Sequence, residues 1–459
     1  PEKQLARNGL MYATVGSFLQ TIRNNPYQKV ASLYRFIILD EVHERSLDLD
    51  LAMMLLKKML TEHISDPTCP FVILTSATFD IPKYAYYFNV SPIDNLISVI
   101  GQSQPLSMTF LSEDSTNVYD SIAATVSEIH EGKINPMKQG ENDIMIFAPG
   151  AADIRAIKAK LLPLNIQYIA EKKKCFIILV LDRVASGTGN KDYQLVFEPE
   201  YKNLTVGDEG EYDEKGKYYA NERIILATSV AETGLTVHTL GHVIDIGTSK
   251  SMEHYPPFNI EGLLTKTVTK NSAIQRRGRA GRKFPGHFYG MYTEETWNNL
   301  QPSKLPDIVI SNIDSAVLDI LLQQNDCFDV EKIDMLDVPP IDALKESIEM
   351  NVVLGYIDSN YGECFKATKL GEMFRKVSGC RADDFRVILA AYVYDVCVMD
   401  LVTIIAIGDK EARPRMRKVK FKEALKESLP TFFFEHDDYL GAFEVLTADD
   451  FIKELFLVE

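Results

Sequence analysis

Short uninterrupted apolar runs, each ending in small or charged polar residues, recur along the first 250 positions. Phe36-Ile37-Ile38-Leu39 runs into Asp40-Glu41, and Phe71 to Thr75 runs into Ser76-Ala77-Thr78. Asp143 to Phe147 leads to Ala148-Pro149-Gly150, and Arg223 to Ala227 feeds Thr228-Ser229. Runs of this length read as strands buried on both faces, the kind found in parallel sheets. Phe176 to Leu181 and His242 to Ile246 are further strands. Between the runs, Leu47 to Met59 and about Ala152 to Leu161 place apolar residues at helical spacing. This alternation predicts a parallel sheet to about residue 100 and a restart around Gly101 to Pro105. Met11 to Arg23 reads as a strand end, a glycine turn and a helix start. Val206 to Tyr219, rich in Gly, Asp, Glu, Lys and Tyr, reads as an exposed loop. Residues 250–268 read as two strands joined around Pro256 to Gly262, with Leu263 to Val268 returning.

The polar ends of these strands carry the candidate chemistry, because ligands of parallel sheets bind beyond the carboxyl ends. Asp40 can hold Mg²⁺, directly or through water. Glu41 can take a proton from an attacking water. The competing reading is a strand followed by an acidic helix cap. Thr14, Gly16 and Ser17 can present a hydroxyl and helix-end amides to a phosphate, or form a plain cap. Gln275-Arg276-Arg277-Gly278-Arg279-Ala280-Gly281-Arg282 packs four arginines into eight residues. On a helix, Arg279 and Arg282 would share a face. Guanidinium groups fork onto phosphate oxygens and can stabilise charge in phosphoryl transfer. The run Lys172-Lys173-Lys174 reads as a solvated face.

Composition narrows the class. The 459 residues allow roughly three or four domains. A net charge of -16 argues against a general electrostatic grip on nucleic acid and leaves room for a local basic groove. The six cysteines form no CxxC pair, so neither a zinc site nor a disulfide framework is suggested, and an intracellular, reducing compartment is expected. Val387 to Gly408 is apolar over about a spanning length, but Asp395 and Asp400 lie inside it, so two buried helices are expected and no membrane partner. The first residue is Pro1, and the reading is a fragment.

In order along the chain, Thr14-Val15-Gly16, Asp40-Glu41-Val42-His43, Ser76-Ala77-Thr78, Phe147 to Gly150, Ala227 to Thr236 and Gln275 to Arg282 resemble motifs Ib, II, III, IV, V and VI of the DEAH/RHA group of superfamily 2 helicases. There is some flavour of the members encoded by large DNA viruses. The resemblance implies an α/β fold: two RecA-like parallel-sheet domains clasping ATP, then winged-helix and partial helical ratchet domains. The expected boundaries are 1–105 for the C-terminal part of the first RecA-like domain and 106–298 for the second, with a hairpin at 250–268. The winged-helix domain is expected at 299–375 and the ratchet segment at 376–459. Leu305 to Asn312, Asp337-Val338-Pro339-Pro340, Val353 to Ile357 and Thr368 to Gly371 carry the winged-helix likeness. Phe434 to Leu440 carries that of the ratchet, and the basic stretch Arg413 to Lys422 is either an RNA-channel lining or a solvated linker.

The resemblance also assigns roles. Asp40, with Glu41 beside it, would hold Mg²⁺, and Glu41 would activate water. His43 would couple motif II to the second domain. Gln275 would orient the water, and Arg279 and Arg282 would reach the γ-phosphate. Gly234 and Thr236 would lie at the nucleotide. Ser76, Ala77 and Thr78 would link hydrolysis to domain movement. Thr14, Gly16, Gly150 and Thr228 would touch the nucleic-acid backbone. The implied activity is ATP-dependent, 3′-to-5′ translocation and strand separation on single-stranded or tailed duplex nucleic acid, RNA favoured. Related helicases use a hairpin like that at 250–268 as a wedge. The chain departs from the pattern in several places. No GxxxxGK[ST] phosphate loop occurs, so the chain itself is not expected to be a competent ATPase. Ser229, Gly234 and His238 stand where the group usually has Asn, Ser and Asp, which leaves nucleotide selectivity open. A non-catalytic nucleic-acid-binding scaffold and a DNA helicase on the same fold are the alternatives.

Overall fold

The computed structural model describes residues 9–393, apart from 79, 100–103, 139, 173, 183–190, 199–203, 233–235, 256–259, 325–328, 330–331, 359–364 and 377–380. The described residues divide into two compact units, one mainly from residues up to 96 and from 305 onward, the other from 97–255 and 261–304. Gly234, most of Val387 to Gly408, the basic stretch Arg413 to Lys422 and Phe434 to Leu440 lie outside the described residues.

The first unit opens with α1 (Val15–Asn24) and α2 (Tyr27–Leu33), then β1 (Phe36–Leu39), α3 (Leu47–His63), β2 (Phe71–Leu74), α4 (Ile81–Phe88) and α5 (Pro92–Asn95). Strands β1 and β2 pair in parallel, Leu39 opposite Leu74. Ile37 and Leu39 are buried under α3, whose Leu49, Leu51, Met53 and Leu56 form the core with Leu19 of α1. Each such fully buried side chain contributes roughly 1.5–3 kcal/mol.

Two expectations fail here. β1 and β2 are not buried on both faces: Phe36, Ile38, Phe71 and Ile73 are 58, 53, 55 and 42 % exposed. Only one face of this two-stranded sheet is packed among the described residues, and an apolar run cannot state how many layers cover it. Nor is there a strand before α1. Thr14 is its N-cap, with Oγ1 accepting from the Ser17 amide at 3.3 Å, and Gly16 lies inside the first turn.

The second unit holds β3 (Leu106–Leu111), α6 (Val118–His130), β4 (Asp143–Phe147), α7 (Ala151–Ala170), β5 (Cys175–Leu181), α8 (Lys191–Val196), β6 (Thr205–Val206), β7 (Tyr218–Ala227), β8 (Leu240–Asp245), β9 (Thr248–Tyr255), β10 (Ile260–Thr267), α9 (Lys270–Arg277), β11 (Gly286–Thr293) and α10 (Glu294–Asn299). Its sheet runs β3-β11-β8-β4-β7-β5 in parallel, with β6 antiparallel on β7. Both faces are covered. Met145 and Phe147 of β4 enter one core, and Ile144 and Ile146 enter the other, as a period of two demands.

Val206 to Tyr219 is not simply an exposed loop: Val206 is fully buried and pairs with Tyr218. Helix α7 runs nine residues past the expected end at Leu161, through Pro163. Pro163 faces outward, where water can satisfy the carbonyl it leaves without a donor. β9 and β10 form a separate two-stranded sheet, and the return strand starts at Ile260, earlier than Leu263.

The first unit resumes with α11 (Asp307–Ile310), α12 (Asp314–Gln323), α13 (Ile341–Val353), an antiparallel ribbon of β12 (Ile357–Asp358) and β13 (Lys366–Ala367), α14 (Lys369–Lys376) and α15 (Ala382–Val393). Buried Asp319 of α12 binds Arg23 of α1 and Arg375 of α14 (Nε–Oδ1 2.5 Å), tying early and late parts of the chain together. Among the described residues no helix is long and apolar enough to cross a membrane.

Candidate active site

β1 delivers Asp40 and Glu41 to its carboxyl end, where the backbone turns sharply. Glu41 and Arg45 have φ of 54° and 52°, left-handed and costly for non-glycine residues, on the order of 1–3 kcal/mol each. They flank a single 3₁₀ turn, Val42–Glu44. The neighbourhood over-determines this shape. Thr75 donates its amide to Leu39 O at 2.9 Å, and the Val42 amide donates to Thr75 O at 3.0 Å. The Tyr84 hydroxyl donates to Val42 O at 3.0 Å.

Within the turn, Asp40 Oδ1 accepts from the Glu41 amide at 3.0 Å and from the Thr75 hydroxyl. Both bonds fall on one oxygen of an exposed carboxylate. His43 Nδ1 lies 3.0 Å from Ser76 Oγ and 3.4 Å from Glu41 Oε2. Ser76 Oγ donates to Thr78 O at 2.5 Å and accepts from the Thr78 amide at 3.2 Å. The structure thus gathers Asp40, Glu41, His43, Ser76 and Thr78 into one hydrogen-bonded constellation, with Ala77 exposed between the last two. Thr75 belongs to it and was not anticipated. The signal was the register, since Leu39 opposite Leu74 puts Thr75 opposite Asp40.

Asp40 has room for a cation. Among the described residues no three His, Cys, Asp or Glu converge as an all-protein metal cage would require. One exposed carboxylate fits Mg²⁺ instead, which keeps most of its ligands as waters and phosphate oxygens. Gly16 stands apart from this group. A Cβ there would meet Asp48 Oδ2 at 2.9 Å, so that face carries a negative charge unsuited to phosphate, and exposed Thr14 is the better contact.

In the second unit, β4 and β7 are neighbours with Phe147 opposite Ala227, so Gly150 and Thr228 emerge side by side. Gly150 is the N-cap of α7, and the Lys250 ammonium fills the space a Cβ would occupy, at 3.0 Å. Thr228, half-buried, precedes the 3₁₀ turn Ser229–Ala231. Gln275 is half-buried on α9. Arg279 and Arg282 do not share a helix face, because α9 ends at Arg277 and Gly281 takes φ +70°. Instead Arg279 Nη2 donates to Glu232 O, and Arg282 Nη1 donates to Thr236 Oγ1 at 2.5 Å. Both arginines rest on motif V and must exchange those bonds to reach a phosphate.

The buried guanidinium of the motif is Arg276. It reaches Glu232 Oε1 at 2.7 Å and Asp245 Oδ1 at 2.6 Å, lies over the Phe147 ring at 5.1 Å, and is fully buried. Burial opposes its charge, but Asp245 and Glu232 outweigh that and raise its pKa. The Tyr292 hydroxyl takes the second Asp245 oxygen at 3.1 Å. Sequence reading missed Arg276 and Glu232. The available signal was spacing: Ala273 and Arg276, three apart on α9, are its two buried residues.

The parallel α/β fold, with an acidic turn at a strand end in the first unit and an arginine-rich turn after a helix in the second, is the RecA-like architecture expected from the sequence. Comparison with known proteins agrees. The family model described as "Helicase conserved C-terminal domain" matches residues 214–284. The chain is 33% identical over 482 residues to "Putative RNA Helicase B962L" of African swine fever virus from a South African isolate, covering 100% of this chain and 49% of the relative. For the counterpart from a Kenyan isolate the identity is 32%. The chain therefore spans about half the length of the curated relatives it matches. The crystal structure of the Escherichia coli DEAH/RHA helicase HrpB superposes with a TM-score of 0.68 at 22% identity, covering 97% of this chain and 48% of that one. A second HrpB structure gives 0.63 at 20% identity, covering 96% and 46%. Residues 214–284 thus match the helicase C-terminal domain, and the whole chain is similar to about half of a putative RNA helicase encoded by a large DNA virus.

Proposed function

We propose that the full protein couples ATP hydrolysis to 3′-to-5′ movement along single-stranded or tailed duplex nucleic acid, RNA in preference to DNA, and to strand separation. The observation that carries this reading is the constellation at the end of β1. An exposed Asp40 carboxylate with an uncommitted oxygen sits beside Glu41, and His43 bridges towards Ser76. A scaffold has no need to hold two left-handed residues in place to present two carboxylates. In this reading Asp40 holds Mg²⁺, which when bound offsets charge on the phosphates. Glu41 accepts the proton of the attacking water. Gln275 orients that water, and Arg279 and Arg282 meet charge developing on the γ-phosphate. Thr14, Gly150 and Thr228 grip phosphate and sugar and carry no base sequence. The preference for RNA rests on the printed name of the viral relatives, and the direction of travel on the family resemblance.

Glu41→Gln in the full-length protein tests the reading. The amide still hydrogen-bonds but cannot take a proton at neutral pH. Nucleotide binding is expected to survive and nucleic-acid-stimulated phosphate release to vanish. Release near the wild-type rate removes Glu41 as the base. A wild-type protein that binds nucleic acid and releases no phosphate establishes the scaffold instead.

A further inference from the structure

The turn that presents Asp40 and Glu41 is held from behind by a second cluster. Arg45, its last residue, donates from Nε and Nη2 to Asp50 at 2.8 and 2.9 Å. The same Nη2 reaches Asp337 Oδ2 at 2.5 Å. Asp337 lies almost three hundred residues further on, just before Pro339-Pro340. Both of its oxygens also accept from Lys83 Nζ, at 2.7 Å each. Lys83 sits on α4 next to Tyr84, whose hydroxyl holds Val42 O. One carboxylate therefore pulls on the turn twice, directly through Arg45 and indirectly through α4. The cluster pairs two carboxylates with two cations: Asp50 and Arg45 are 1 and 11 % exposed at its inner end, and Asp337 and Lys83 are 28 and 35 % exposed at its outer end. The Asp307 amide adds a bond to Arg45 O at 3.0 Å. Burial acts to raise the Asp337 pKa, but the bonds from Lys83 and Arg45 outweigh it and hold the carboxyl below its usual range.

We infer that Asp337 is a positioning residue for the Asp40–Glu41 turn: it locks the strained backbone in place from the segment that follows residue 305. The inference rests on the function proposed above. Asp337 touches neither nucleotide nor water in this account and acts only through Arg45 and Lys83. Asp334 is its natural control, because it lies in the same segment and its carboxylate pairs with Lys57 of α3 (Nζ–Oδ1 2.5 Å).

Two measurements test it. In the 459-residue chain, hydrogen exchange followed by mass spectrometry reads the Val42 and Glu44 amides. Asp337→Asn is expected to speed their exchange about tenfold or more, a factor of ten being one 1.4 kcal/mol step in local opening. Asp334→Asn is expected to leave them unchanged. In the full-length protein, Asp337→Asn is expected to lower kcat, on the order of 10²-fold for a displaced catalytic group, with KM for nucleotide unmoved. If the Asp337→Asn amides and kcat both match wild type, the inference is overturned. If Asp337→Asn does not fold, the double variant Lys83→Gln/Asp337→Asn decides, since it removes both ties and leaves Arg45 paired with Asp50 and no charge stranded: faster exchange of the same amides supports the brace, and unchanged exchange overturns it. The Glu41→Gln result separates the two claims. If Glu41→Gln still hydrolyses ATP, the function reading fails while the exchange result stands. If Glu41→Gln is dead and Asp337→Asn is silent in both assays, only the brace fails.

Discussion

Arg276 and Arg282 stand six residues apart and do opposite jobs. Arg276 is sealed between Glu232, Asp245 and Phe147, whereas Arg282 is exposed against Thr236. Arg276→Met should strand two carboxylates, one of them fully buried, and cost about 3–5 kcal/mol of stability by urea unfolding. Arg282→Ala should stay within about 0.5 kcal/mol of wild type in the same experiment. A small loss for Arg276→Met would mean that Asp245 and Glu232 find other partners. Asp40 and Glu41 were legible in the sequence because an apolar run cannot continue through two carboxylates, so they had to lie at a strand end. The division of labour among the arginines was not legible. Nothing in four similar side chains says which is buried; that depends on Glu232 and Asp245, some forty and thirty residues away.

At the scale of elements, the second sheet was the most readable part, because its strands alternate between two covered faces. β1 and β2 have the same apolar signature and bury one face only, since periodicity reports side-chain direction and not the number of layers. The same second unit carries two histidines whose environments oppose each other. His242 of β8 is buried, and desolvation, aided by the nearby His287, pushes its pKa down to about 3. Its neutral form is favoured on folding, so stability falls as pH drops from about 6.5 towards 3, by up to about 1.4 kcal/mol per pH unit. His130 of α6 sits between two acceptors, Glu222 Oε1 at 2.5 Å and Lys174 O at 2.7 Å, and satisfies both only as the cation. Burial works against that charge, but Glu222 wins and raises the pKa. Its contribution is therefore complete below about 6.5 and is lost as pH rises through the raised value. Urea midpoints against pH should peak near neutrality, with His242→Asn flattening the acid limb and His130→Gln the alkaline limb. Unchanged limbs in either variant would assign the pH dependence to other groups.

For the molecule as a whole, the function proposed above assigns water activation to the turn after β1 and charge stabilisation to the arginine turn of the second unit, and it assigns the phosphates no cradle. A Gly-rich loop supplies that cradle elsewhere through a row of backbone amides and one lysine. None of the 459 residues forms such a motif. Arginine side chains do not supply that row of backbone amides, and the net charge of -16 disfavours a triphosphate held by side chains alone. Asp40 can orient a cation but cannot anchor the chain of phosphates that completes its coordination. The 459-residue chain should therefore hydrolyse ATP at background, with or without single-stranded RNA, while the pieces of the site stay folded. Phosphate release measured on this chain, beside the Glu41→Gln variant as a blank, checks it. A wild-type signal well above the Glu41→Gln blank would mean that the chain holds triphosphate by a site other than a phosphate loop.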